Sequence, residues 1–402
     1  MASPSTEFET HRSAWHIRAE LAQTIMWAIG VSIPLFLFWH DLRIVKHGSL
    51  DGLAFWGRDF VILWSAGQLV YQGAISTIYN LHAFQATMAA LFGSLEPMGY
   101  PYPPVTFPIA FAFGLLPYWL AQPLWFAVTG ALFLYACRRY WTPAMGPRWL
   151  AVVTPAALMN IWAGHYGFLH GALFLLGWSH VERRPKLAGF LFGCMLIKPH
   201  IAVLVPIALL LRRSWTTIIS AALTTLLLIA ATSLLYGWEA WQNYILNMVG
   251  PQVALIGAKD GFFTFMSTST TSAVFRMTGS HALALTAQLI AVAAALAALV
   301  LAALRKPPTA DFALLTATLT FLVLPYGFNY DLTVVEIGAL TIIARTELPL
   351  KWRLMAAVGF LAPSVGMFFS SARIAIMPAM LALLAYGQFR ALRPSVPQPL
   401  PH

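Results

Sequence analysis

The stretch Leu21-Ala-Gln-Thr-Ile-Met-Trp-Ala-Ile-Gly-Val-Ser-Ile-Pro-Leu-Phe-Leu-Phe-Trp39 contains no charged side chain. Its length is close to the roughly 20 apolar residues that a helix needs to cross the hydrocarbon core of a bilayer. His11, Arg12 and Arg18 precede it. The run is longer than the apolar region of a secretory leader and no small-residue cleavage site follows, so it reads as an uncleaved first span behind a cytoplasmic segment, residues 1–20. Comparable apolar runs recur along the chain. Of its 402 residues 59% are hydrophobic and 9% charged, against about a quarter charged in ordinary soluble domains, and mean hydropathy is +0.72. A water-soluble surface cannot be built from that composition. The sequence is that of an all-α polytopic membrane protein.

The formal charge is +10, but the basic residues sit in small groups at the ends of apolar segments rather than along one face. That distribution follows the positive-inside rule and argues against a nucleic-acid partner. The groups are Arg138/Arg139/Arg148, Arg183/Arg184/Lys186, Arg212/Arg213, Arg305/Lys306, Arg345/Lys351/Arg353 and a tail, 390–402, that starts at Arg390. If each marks the cytoplasmic side, successive groups are separated by two apolar segments. The breaks between those segments then face outward: Gly164 to Gly167, Lys198-Pro199-His200, Gly237 to Ser280, Pro325 to Asp331 and Ser371 to Arg373. This gives about 12 spans in one membrane domain, 21–389. The count requires that the proline-rich stretch from Pro103 to Pro117 does not cross fully, as a re-entrant or broken segment would not. Gly189 and Gly193 are spaced to let a neighbouring helix approach closely. Cys137 and Cys194 both fall in expected spans and read as free buried thiols.

Between the first span and the next lies an outer loop, 41–104, partly helical but too polar to span. Trp56, Phe60, Trp64, Tyr71, Tyr79 and Phe84 within it suit helices lying in the membrane interface. Sorted by side, the remaining ionisable residues gather outside: Arg58, Asp59, His165, Lys198, His200, Glu239, Lys259, Asp260 and Asp331, with Tyr102, Tyr166, Tyr326 and Tyr330 beside several of them. Polar groups at membrane depth are costly and mark functional sites. Asp59 offers a carboxylate able to take a proton from an attacking hydroxyl; the other reading of Arg58-Asp59 is an interfacial ion pair or helix cap. Lys198 and His200 supply cations where a lipid phosphate would lie; the other reading is a lysine snorkelling to the interface. Glu336 reads as a structural hydrogen-bonder, and His170 and His180 as packing residues. No Cys or carboxylate stands at ligand spacing from His165 or His200, so neither metal nor cofactor is expected. No phosphate-cradling glycine loop and no nucleophile elbow is present. A soluble nucleotide donor would find no cradle, whereas a membrane lipid donor needs none.

In order along the chain, Gly57-Arg58-Asp59-Phe60, Trp64 to Gly67, Tyr100 to Pro104, Gly164-His165-Tyr166-Gly167, Lys198-Pro199-His200, Gly237 to Trp241 and Pro325-Tyr326 with Tyr330-Asp331 resemble the membrane glycosyltransferases of family 87 in the GT-C superfamily. That group includes polyprenol-phosphate-mannose-dependent α-mannosyltransferases. The resemblance implies a sugar donor linked to polyprenyl phosphate, used at the outer face of the bacterial inner membrane with inversion at the anomeric carbon, and a lipid or glycan acceptor. It makes Asp59 the catalytic base and Lys198 and His200 the holders of the lipid phosphate, with Arg58, Tyr102, His165, Tyr166, Tyr330 and Asp331 as further substrate-binding residues. Relatives commonly carry a histidine in a late outer loop, where this chain reads Gly327-Phe328-Asn329-Tyr330-Asp331, and often Gln where it has His165. Two other functions use the same polar cluster: a flippase or transporter of lipid-linked sugars, with the cluster as a gate, and a non-catalytic assembly subunit, with the cluster as a docking surface. The chain shows no internal repeat of the kind transporters carry.

Overall fold

The computed structural model describes residues 4–45, 58–93, 98–254 and 262–392. Trp56, Gly57, Lys259, Asp260 and the tail beyond Leu392 therefore lie outside the described residues. The described chain is helical with no strand; an isolated bridge joins Ser267 to Phe328. Its principal helices are α1 (Pro4–Val45), α2 (Phe60–Tyr71), α3 (Leu81–Phe92), α4 (Phe107–Gly114), α5 (Tyr118–Cys137), α6 (Pro155–Ala163), α7 (Gly167–His180), α8 (Pro185–Cys194), α9 (Leu204–Leu211), α10 (Trp215–Tyr236), α11 (Trp238–Ala254), α12 (Thr270–Thr278), α13 (His281–Leu304), α14 (Thr309–Val323), α15 (Thr333–Ala344), α16 (Leu350–Phe360), α17 (Met367–Ser371) and α18 (Met377–Ala391).

Among the described residues four helices are long and apolar enough to cross a bilayer: Glu20–Arg43 within α1, α5, α10 and α13. The pair α16 and 362–371, bent by 52°, makes a fifth if it is one span. Among the described residues the helices do not bear out a dozen full-length spans. Several of the remaining expected crossings are helices of 8 to 15 residues, such as α9 and α14, or about 12 to 22 Å at 1.5 Å per residue, shorter than the ~30 Å core. Their shortening has a local cause. Gly164 adopts φ +77° and ends α6, Pro199 follows the non-helical Lys198, and Leu324 and Phe328 are extended about a bend at Pro325-Tyr326 before a single 3₁₀ turn. Such breaks are tolerated at membrane depth where protein covers them. The buried fraction agrees: α7, α14 and α15 are buried almost throughout, whereas the central windows of α10 and α13 are only 11% and 22% buried and face outward.

The basic groups meet at one end of the bundle. Arg139 donates to the Ser179 carbonyl (2.9 Å). Arg212 donates to the Pro307 carbonyl and to Thr309 (3.1 and 2.9 Å), and Thr309 in turn bonds Glu182. Arg305 donates to the Phe389 carbonyl (3.0 Å), Arg345 pairs with Asp311, and Arg390 lies over Trp352. Each α-helical hairpin between successive groups thus returns to the end it left, as the charge pattern requires. At Gly189 and Gly193 a Cβ would come within 2.4 and 2.5 Å of Ser220 and Thr224, so α8 lies against α10 at the spacing those glycines permit.

The first outer loop is helical, but its aromatic residues turn inward rather than into the interface. Phe60, Tyr79 and Phe84 are fully buried, and the Trp64 indole donates to the Leu116 carbonyl; Tyr71 stays exposed. The stretch after Pro103 forms one 3₁₀ turn and α4, whose eight residues cover about 12 Å and cannot cross. Helix α4 docks on α2 where Gly67 and Gly114 face one another, and a Cβ on Gly67 would lie 2.0 Å from the Ala110 oxygen. Cys137 is buried and Cys194 only half-buried, both free.

Candidate functional site

The breaks in the short hairpins converge at the end opposite the basic groups. Asp59 stands at the N-terminus of α2 and makes no side-chain cap bond there. Its backbone N–H donates to the Ala163 carbonyl (3.0 Å), tying it to the end of α6. Arg58 before it has φ +34°, a backbone region that costs an L-residue roughly 1 kcal/mol or more. Its side chain is held by Asp41 (3.2 Å) and lies 3.8 Å from the centre of the Trp162 ring, while the Trp162 indole donates to the same Asp41 (2.9 Å). Asp41, buried at the end of the first span, was not singled out from sequence; its place just past an apolar run was the available signal.

The Asp59 carboxylate meets His165 Nε2. The other ring nitrogen of His165, Nδ1, hydrogen-bonds the Tyr102 hydroxyl at 2.8 Å, and Tyr330 stacks on the ring at 3.9 Å and 13°. Burial foremost, with the Asp59 and Asp331 carboxylates behind it, holds the Tyr102 phenol well above the ordinary tyrosine value, so it keeps its proton. A carboxylate beside Nε2 calls for a donor there. In a neutral ring Nδ1 is then the acceptor and Tyr102 the donor. Nδ1 is hydrogen-bonded and Nε2 abuts one Asp59 oxygen without hydrogen-bond geometry, leaving the second carboxylate oxygen of Asp59 able to take a proton. The Asp59 side chain keeps 13% of its surface accessible.

Lys198 does not snorkel. Its side chain is 5% exposed, and its ammonium contacts both oxygens of the buried Asp331 at 2.7 and 2.6 Å. An ammonium has three donors, so this grip leaves capacity for another anion. Lys198 also lies 5.1 Å from the centre of the Tyr330 ring, and His200 packs against Tyr326. Tyr102, His165, Lys198, His200 and Tyr330 line one small cavity of about 40 Å³, together with Tyr244, Tyr326 and Phe328. That space holds no more than a few waters, so a sugar enters only as side chains move.

Tyr166 does not line this cavity. It is fully buried beneath Tyr102, at 4.6 Å between ring centres, against Trp125. Gly167 after it is required by packing, since a Cβ there would lie 2.7 Å from the Tyr330 oxygen and 2.6 Å from Asn160 Oδ1. Asn160 itself accepts from the Gly167 N–H and shapes this turn. Asn329, also missed from sequence, is buried and donates to the Pro363 carbonyl. Glu336 accepts from the Ala156 N–H at 2.9 Å at the start of α6 and is structural, as read from sequence. Among the described residues no three His, Cys, Asp or Glu side chains gather as metal ligands.

The sequence profile described as Glycosyltransferase family 87 matches residues 100–325, more than half of the chain. The chain belongs to glycosyltransferase family 87. It is a membrane glycosyltransferase that moves a sugar from a donor to an acceptor. No curated protein and no solved structure matches it. In this family 87 member the matched region contains Tyr102, His165, Tyr166, Lys198 and His200, but Asp59, Tyr330 and Asp331 lie outside it. The fold brings the two sets into contact: Asp59 on His165, and Asp331 on Lys198.

Proposed function

We propose that this family 87 enzyme transfers a sugar, with inversion, from a polyprenyl-phosphate donor to a lipid or glycan acceptor, at the membrane face remote from its basic groups. The observation that carries the reading is that His165, whose Nε2 meets the Asp59 carboxylate, and Tyr102 line the same small cavity as Lys198, a buried cation suited to a phosphate; Asp59 itself stands behind His165 and does not line that cavity. Asp59 takes the hydroxyl proton of the acceptor as that oxygen bonds to the anomeric carbon. The bond from that carbon to the phosphate oxygen breaks, and the electron pair leaves with the polyprenyl phosphate. Lys198 faces the leaving phosphate, where a fixed cation in a partly dry site is most effective. Burial foremost, with the Lys198 charge behind it, holds His200 well below the ordinary histidine value, so it is neutral and contributes a hydrogen bond rather than the second cation expected from sequence. His165 is a positioning residue that fixes the Asp59 rotamer, and Tyr102 and Tyr330 fix His165 in turn. Arg58, directed to Asp41, sets the turn that presents Asp59.

Transfer from purified polyprenyl-phosphate mannose, and then from other polyprenyl-phosphate sugars, to membrane lipid extracts tests this reading. Asp59→Asn at matched expression is expected to lose at least about a hundredfold in rate. Unchanged transfer by Asp59→Asn would remove Asp59 from the mechanism, and turnover of a nucleotide sugar by the purified protein would remove the lipid donor.

A further inference from the structure

A second, much larger cavity lies beside α14. It is a lateral groove of about 620 Å³ between α12, α13, α14 and α18, lined among others by Ala294, Ala298 and Leu301 of α13, Leu319 of α14, and Ala382 and Phe389 of α18. Its walls are apolar, and its length follows α18, 15 residues or about 22 Å. It shares no lining residue with the small cavity around Lys198. Near the groove's Leu322 and Thr270 end, the buried Gln288 of α13 donates to the Leu322 and Val323 carbonyls and accepts from Thr271.

The polar groups at its two ends differ. At the basic end the groove runs out at Tyr386 and Phe389. Arg305 lies 4.0 Å from the centre of the Phe389 ring, and Arg390 donates to the Tyr386 hydroxyl. Both arginines are exposed, and among the described residues neither pairs with a carboxylate. At the other end Arg276 is turned inward to Thr264 and the Ser370 carbonyl, and Arg373 is exposed beside the start of α18.

We infer that the groove binds one anionic phospholipid of the leaflet at the basic end, an acyl chain lying along the alanines of α13 and α18 and the headgroup phosphate on Arg305 and Arg390. Charge complementarity selects this occupant. A second copy of the chain would bring its own share of the +10 charge to the same end, whereas an anionic headgroup neutralises it. A polyprenyl donor would have its phosphate at Lys198, at the opposite end of α14. An acyl chain also suits lateral entry, since α13 leaves most of its surface facing outward. The site is independent of the transfer mechanism and would steady the packing of α18 on α14.

The test is thermal denaturation of the purified full-length protein in neutral detergent with added dioleoylphosphatidylglycerol or dioleoylphosphatidylcholine, with native mass spectrometry of retained lipid. The glycerol lipid is expected to raise the apparent melting temperature by a few degrees, and the choline lipid far less. A cation near the membrane surface contributes about a fivefold factor to affinity for anionic lipid. Arg305→Gln and Arg390→Gln should therefore each weaken the response about fivefold, and together about 25-fold. Ala298→Phe, which fills the groove, should abolish retention; its unliganded melting temperature, compared with that of Ala298→Leu, shows whether it folds. Equal responses to the two lipids would overturn the inference, as would an undiminished response in the double arginine variant. Loss on Arg373→Gln instead would put the headgroup at the wrong end. Competition by decaprenyl phosphate that Ala298→Phe removes would assign the groove to the donor, and a dimer that Ala298→Phe dissociates would assign it to a second copy.

Discussion

The contact between Asp59 and His165 makes a prediction that separates a positioning histidine from an acid–base one. In His165→Gln the side-chain amide can still donate to Asp59 and its carbonyl can still accept from Tyr102, so both ends of the chain are kept. In His165→Ala both are lost, and the hole opens beneath the stacked Tyr330. A hydrogen bond to a charged group contributes about 1.5–3 kcal/mol. If that interaction serves to hold Asp59 for proton transfer, its loss lowers kcat by roughly 10- to 150-fold. His165→Gln should stay within about fivefold of wild type, and Tyr102→Phe, which removes one neutral hydrogen bond of about 1 kcal/mol, should lose about fivefold. The assay is radiolabelled sugar transfer from the polyprenyl-phosphate donor at saturating donor, with melting temperatures measured alongside. A kcat for His165→Gln as low as that of His165→Ala, with folding intact, would refute the reasoning, because the imidazole would then be handling the proton itself. Wild-type kcat in His165→Ala would refute it from the other side.

The buried pair of Lys198 and Asp331 should behave differently from either member alone. Removing one partner leaves an uncompensated buried charge, so Lys198→Met should cost about 3–5 kcal/mol of stability, read as a lower melting temperature. The double variant Lys198→Met/Asp331→Leu should recover much of that stability while remaining inactive, and a fully active double variant would take Lys198 out of phosphate binding. For topology, cysteines placed in a chain with Cys137 and Cys194 replaced should label from opposite faces: His82→Cys, exposed on α3, from the outer face and Arg183→Cys, exposed among the basic groups, from the cytoplasmic face. Labelling of both from one face would overturn the arrangement of ends. Tyr166, an outward-break residue by sequence, is unsuitable for this experiment because it is sealed under Tyr102.

The charge pattern carried the two-ended organisation because each basic group marks a helix end, and Arg139, Arg212, Arg305 and Arg345 do bond to neighbouring ends at one side of the bundle. Span length was far less legible. Hydropathy counts apolar residues without distinguishing those that face lipid from those that face protein, so α14 and α10 look equally like spans in sequence. They differ in the structure because α14 is buried among other helices and α10 is not. The same ambiguity explains the outer-loop aromatics: a ring suited to a membrane interface is equally suited to a protein core, and Phe60 and Tyr79 chose the core.

The site was legible as a set of residue types and breaks, but not as pairs. Asp59 next to Arg58 invites the reading of a local ion pair, and nothing in the spacing says that Arg58 reaches back to Asp41 while Asp59 reaches across to His165. Those choices follow from the positive φ of Arg58, which splits two adjacent side chains between different neighbours. Shortened helices have the same consequence on a larger scale. The helices that stop at Gly164, Pro199 or Leu324 are shorter than α10 and α13, and His165, Lys198 and Asp331 at or just beyond these breaks are buried in protein. Lys198 and Asp331 can then be held together at 5% and 1% side-chain exposure, where a charge acts at lower effective dielectric than at a surface. The breaks that spoil a count of full-length spans are thus the feature that seats the charged groups where a phosphate leaving group would meet them.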